Sequence, residues 1–142
     1  MYDKERIGKI FSDIERYFSD LENMKIKTMK DLDDKKNFYS ASMIMFSIIN
    51  RTIDLGEEVI AMNKLGTPST YKDIFFLLLK GKVINNQMKD RLSDLISYRN
   101  IFSHEYYRLM QEDVFNALER IAVVRGFVRQ IKQKLNNSGR KP

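Results

Sequence analysis

Cysteine is absent from the 142 residues, so the chain forms no disulfide and offers no thiolate to a metal. Histidine occurs once, and a zinc held by imidazoles would need a symmetric dimer to supply a second ring. Proline occurs twice, at Pro68 and Pro142, which leaves long stretches free of helix breakers. Long hydrophobic runs are missing as well. The longest nearly uncharged stretch, Phe38 to Asn50, contains serines and an asparagine and falls short of the roughly 20 apolar residues of a bilayer span. The N-terminus, Met1-Tyr2-Asp3-Lys4-Glu5-Arg6, has no apolar core of a secretory signal, so a soluble cytoplasmic protein with no membrane partner is expected. No run alternates apolar and polar residues between turn signals, and no repeat of 20–50 residues recurs, which argues against sheets and solenoids.

What remains is an ordinary folded composition, with 43% hydrophobic and 31% charged residues, long enough for one domain over 1–142. The net charge of +6 favours contact with polyanions without identifying one. Part of the excess lies in Arg129, Lys132, Lys134, Arg140 and Lys141. That segment reads as a solvated helix end, with 136–142 a flexible basic tail, or as a nucleic-acid contact.

The pattern between breakers is helical throughout. Ile7, Ile10, Phe11, Ile14, Tyr17, Phe18 and Leu21 recur in steps of three and four, predicting an amphipathic helix over 4–24 capped by Asp3. Lys25 to Asn37 reads as a connector with room for one short turn. A long helix over 36–63 is apolar or small on nearly every side between Ala41 and Ile49, as a central element would be. In it Ser42 and Gly56 are small enough to admit a neighbouring helix. Thr70 with Asp73 reads as a capping box opening a short helix that Gly81 ends. Asn85 caps the next, whose stripe of Met88, Leu92, Leu95 and Ile96 leads to Arg99, and Tyr98 to Tyr107 contains a helix end or kink. One final helix is expected over 112–135. The fold class is therefore all-α, a bundle of about four to five main helices with short connecting helices.

Chemistry concentrates in Arg99-Asn100-Ile101-Phe102-Ser103-His104-Glu105-Tyr106. Arginine offers a permanently charged donor fork suited to phosphate oxygens, and histidine exchanges protons near neutral pH. A lone histidine is more commonly a surface or helix-terminal residue; the clustering of polar groups at the end of an apolar helix is what favours a reactive site. Cleavage of RNA by its own 2′-hydroxyl needs a base, an acid and positive charge on the phosphoryl oxygens. One chain supplies one imidazole, so a two-fold dimer would divide the two proton-transfer roles between subunits.

Arg99, four intervening residues, then His104-Glu105-Tyr106 resembles the RX4HXY motif of the HEPN superfamily, in its HepT-like toxin branch. Asn100 after the arginine fits as well. Thr52-Ile53-Asp54-Leu55-Gly56-Glu57 resembles that family's central-helix signature, and Thr70 to Phe75 and Leu78 to Ile84 follow in the expected order. The likeness covers about Phe38 to Leu118. It implies an all-helical homodimer whose two motifs face one cleft, acting as a metal-independent ribonuclease without a cofactor. It also implies a minimal nucleotidyltransferase antitoxin that silences the nuclease by placing adenylate on the motif tyrosine. Carried over, Arg99 and His104 are the catalytic pair and Asn100 and Asp54 are supporting residues. Tyr106 is the modification target, with Tyr107 adjacent as the competing hydroxyl. Asn50 stands where many relatives carry an acid, so any carboxylate role there is lost. Asp54, the remaining acid on that face, reads as a salt-bridging group or as a support for the cleft. The alternatives are a non-catalytic helical module that binds a nucleotidyltransferase or a nucleotide, and a helical adaptor whose motif is a coincidence.

Overall fold

The computed structural model describes residues 3–139, and they form helices and turns with no strand among them. Helix α1 spans Lys4–Met24, α2 Lys35–Asn63, α3 Tyr71–Lys80, α4 Asn86–Ile96, α5 Arg99–Ser103, α6 Gln111–Arg120 and α7 Ala122–Gly139. Two 3-10 turns, Met29–Asp33 and Tyr106–Arg108, fill connectors. Arg140, Lys141 and Pro142, the end of the basic tail, lie outside the described residues.

The ends of these helices follow from local chemistry. Asp3 accepts from the Arg6 N–H at 3.1 Å, and Asn85 accepts from the Met88 N–H at 2.8 Å. Thr70 and Asp73 form the reciprocal box expected of them, the hydroxyl oxygen accepting at 3.2 Å and the carboxylate accepting from the Thr70 N–H at 3.1 Å. At the end of α3 the left-handed conformation falls on Lys82 (φ 60°), not on Gly81. Gly81 is small for another reason, since a Cβ there would meet the Leu65 side chain at 2.7 Å.

Helix α2 is the central element, with α1, α3, α5 and α6 packed against it. Ala41, Met45, Ile48, Ile49, Leu55, Val59 and Ile60 are all buried along it, and each large side chain removed from water contributes about 1.5–3 kcal/mol before entropy is counted. Gly56 is where α3 comes closest, because a Cβ there would lie 2.5 Å from Cγ2 of Ile74. That close approach sets the first turns of α3 against the C-terminal third of α2.

The single helix expected over 112–135 is in fact two. Hydrogen bonding tightens at the junction, where the Ile121 N–H donates to Leu118 O and the Val124 N–H to Ile121 O, both three residues back. Ile121 stays buried through the break. The sequence carries no Gly or Pro at this point, so periodicity alone ran through it. Helix α7 also continues to Gly139, past the expected end at 135.

Candidate active site

Helix α5 is only one turn long, and two contacts hold it. Phe102 inserts into the core, and the Phe102 N–H donates to Tyr98 O at 3.2 Å. At its end the Asn100 carbonyl accepts from both the His104 N–H (2.8 Å) and the Glu105 N–H (3.1 Å), which closes the helix and turns the chain. The irregularity expected between Ser103 and Tyr107 is thus a helix end at Ser103 followed by the 3-10 turn at Tyr106.

Arg99 opens this helix and is anchored from three sides. Its Nε donates to Oδ1 of Asn50 at 3.0 Å. Its guanidinium carbon sits 4.6 Å from the Tyr71 ring centroid and 5.7 Å from that of Phe46. Among the described residues Arg99 forms no salt bridge and no other side-chain hydrogen bond, so its terminal N–H groups remain open to an outside acceptor. A fixed cation with unused donors is suited to gripping a phosphate.

Phe46, Asn50, Asp54 and Glu57 recur at helical spacing and share one face of α2. The first two touch Arg99. Asp54 does not: its carboxylate accepts from Nη1 of Arg51 at 2.9 Å, and Arg51 in turn reaches the buried Asp13 on α1 at 2.7 Å. Burial pushes the Asp13 carboxyl up, but hydrogen bonds from Arg51 and Lys9 outweigh it and hold the group below the usual carboxylate range. Asp54 is therefore one end of an ion triad tying α2 to α1, the salt-bridging reading of the two.

His104 is exposed at the C-terminal end of α5, and its side chain makes no hydrogen bond among the described residues. Nothing among the described residues closes over it. Tyr106 is 69% exposed and Tyr107 74%, their rings edge to face at 6.3 Å, so exposure alone does not choose between the two hydroxyls. Asn100 is exposed beside Arg99 and lines a cleft of about 410 Å³ with Glu57, Ser69, Thr70 and Tyr71. Desolvation and then the Asp54 charge raise the Glu57 carboxyl above its ordinary value, against a pull from Arg6 and with a smaller push from Glu58.

Asn50, Phe46, Tyr71 and Glu57 are the members that sequence reasoning did not assign to the site. The sequence assigns Asn50 no part beyond the loss of a carboxylate; its amide oxygen serves as the acceptor that aims Arg99. The usable signal was its helical register with Asp54 and Glu57. Nothing local pointed to Tyr71.

The family model described as ribonuclease HepT-like matches residues 7–131. The curated mRNA nuclease HepT of Shewanella oneidensis is 28% identical over 67 residues, which are 47% of this chain and 50% of that protein. The match thus spans about half the length of that relative. Among solved structures, the cytosolic protein YutE of Bacillus subtilis superposes with a TM-score of 0.84 at 22% identity, over 97% of this chain and 95% of that one. The tri-AMPylated HEPN toxin of Shewanella oneidensis in complex with its MNT antitoxin superposes with a TM-score of 0.82 at 20% identity, over 92% and 99%. At these identities the two structures share a fold with this chain.

Proposed function

Because the chain belongs to the HepT-like ribonuclease family, we propose that it is a metal-independent endoribonuclease, the toxin of a toxin–antitoxin pair. The observation that carries this reading is the state of Arg99, anchored through Nε while its terminal donors stay open, five residues before an exposed imidazole. The Arg99 guanidinium would hold the non-bridging oxygens of the scissile phosphate. The 2′-hydroxyl oxygen attacks phosphorus and its proton passes to a base. The 5′ oxygen leaves with a proton from an acid, giving a 2′,3′-cyclic phosphate and a 5′-hydroxyl.

His104 serves as one of the two proton carriers, and a second copy of the chain supplies the other across a two-fold axis. Support for a homodimer comes from the uncovered setting of His104 and from Tyr39 and Met43, both 66% exposed on the outer face of α2, an apolar surface that a partner would cover. Asn100 supports the turn that presents His104, and Asp54 supports α2 through Arg51.

The partner in this reading is a minimal nucleotidyltransferase antitoxin in the cytoplasm. The Tyr106 phenol oxygen attacks the α-phosphorus of ATP, the phenol proton is lost and pyrophosphate leaves. The adenylate then sits as a bulky anion beside Arg99 and excludes the RNA backbone. Two observations favour this: Tyr106 is exposed, and the structurally similar Shewanella toxin is AMPylated in complex with its antitoxin. An RNase assay with His104→Ala as the blank tests the nuclease; equal cleavage by the variant would leave a non-catalytic module that binds the nucleotidyltransferase or a nucleotide.

A further inference from the structure

The cleft beside Arg99 has a composition that the cleavage chemistry does not use. One wall is the Tyr71 ring, 42% exposed, with the Arg99 guanidinium 4.6 Å from its centroid. Tyr71 both lines the cleft and carries Arg99 on one face of its ring, so the cleft adjoins the arginine and a base would stack on the other face. Glu57 and Asn100 also line the cleft. Neither side chain has a hydrogen-bond partner among the described residues, although the Asn100 carbonyl is fully engaged in closing α5. The Ser69 and Thr70 N–H groups at the rim are already satisfied by Asp73, so they do not draw an anion into the space. At about 410 Å³ the cleft falls within the range of small-molecule sites and has ample room for one nucleobase.

An aromatic ring, a carboxylate and an amide form a set that recognises a base and not a second phosphate. A phosphate would be repelled by Glu57, whereas a base stacks on a ring whatever its identity. The carboxylate accepts hydrogen bonds and repels carbonyl oxygens, and the amide both donates and accepts. Adenine, cytosine and guanine each present an exocyclic amine to such a pair next to a ring nitrogen or carbonyl acceptor. Uracil has no amine and sets carbonyl oxygens on both sides of its single N–H.

We infer that the cleft formed by Glu57, Tyr71 and Asn100 is a base-recognition subsite that seats an amine-bearing nucleobase adjoining the phosphate on Arg99, and disfavours uracil. This rests on the nuclease reading above for the position of the phosphate. A hydrogen bond donated by an amine offsets the desolvation that raises the Glu57 carboxyl.

The test is equilibrium binding of uncleavable 2′-O-methyl oligonucleotides, oligo(A), oligo(C) and oligo(U), to the wild type, Glu57→Gln and Glu58→Gln. Glu58 pairs with Arg6 and stands outside the cleft lining, so its variant controls for the loss of one charge. Each of the three proteins is also assayed for cleavage of 2′-hydroxyl RNA, with His104→Ala as the blank. The subsite predicts that wild type and Glu58→Gln bind oligo(A) and oligo(C) about tenfold more tightly than oligo(U). In Glu57→Gln, whose neutral amide also donates to uracil carbonyls, that ratio falls to about twofold or less. No preference in the wild type, or a preference unchanged in Glu57→Gln, overturns the subsite. If His104-dependent cleavage persists in that case, the nuclease reading stands without it. A Glu57-dependent preference without His104-dependent cleavage supports the subsite as a binding site and overturns the nuclease.

Discussion

Arg99 is a cation whose direction is set by neighbours distant in sequence. Asn50 is 49 residues away and takes its Nε donor, while two rings hold the plane of the guanidinium. Lysine offers a point charge and no planar fork, so it cannot be aimed by Asn50 and grip a phosphate bidentately at the same time. Arg99→Lys is expected to lose most of the RNase activity, on the order of a hundredfold in kcat/KM, with a stability cost of only about 1 kcal/mol. Asn50→Ala should cost less, about tenfold, with a stability change of about 1 kcal/mol from the lost hydrogen bond. Asp13 belongs to stability and not to chemistry. Its folded pKa lies below the usual 3.8, so its contribution is fully present above the unfolded value and is lost as pH falls through the lowered one. Asp13→Asn should destabilise by about 2 kcal/mol at pH 7, discounted for the partly exposed Arg51. The difference from wild type should shrink in melts carried below pH 4. At Tyr106, incubation with a cognate nucleotidyltransferase and ATP should add adenylate to wild type and to Tyr107→Phe but not to Tyr106→Phe, read by intact mass. The opposite pattern would move the modified hydroxyl by one residue.

At the scale of elements, the site depends on how α3 and α5 are pressed onto α2. Gly56 permits the approach of Ile74, and Ile74 is one turn from Tyr71, the ring under Arg99. A Cβ at position 56 displaces α3, so Gly56→Val should cost about 1–3 kcal/mol and lower activity together with stability, measured by thermal melts alongside the RNase assay. Much of this architecture was legible in the sequence because it is local. Helices α1 to α4 announced themselves by period, and Asp3, Thr70 with Asp73, and Asn85 are caps by side-chain chemistry alone. The break at Ile121 was not legible, since its residues have ordinary helical propensity and only packing in the core selects the tighter turn. The motif that carries Arg99 and His104 could be read, but its surroundings could not. Asn50, Phe46, Tyr71 and Glu57 join the site through contacts between elements, and sequence periodicity places residues on a face without saying which other element that face meets.

Taken whole, the described chain is a helical body that leaves its candidate site uncovered. The imidazole, both tyrosines and the outer face of α2 are open to solvent, while the ion triad of Asp13, Arg51 and Asp54 braces the first two helices behind them. An acid and a base drawn from one histidine per chain require two chains, so the active species is expected to sediment as a homodimer. A monomer with full activity at assay concentration would remove that argument. The central claim, that Arg99 and His104 cleave RNA without a metal, is tested most directly by following a labelled RNA with wild type and His104→Ala in EDTA. The account predicts cleavage by wild type to 2′,3′-cyclic phosphate ends and a loss on the order of a hundredfold or more in the variant. Cleavage unaffected by His104→Ala, or abolished by EDTA and restored by magnesium, would contradict it.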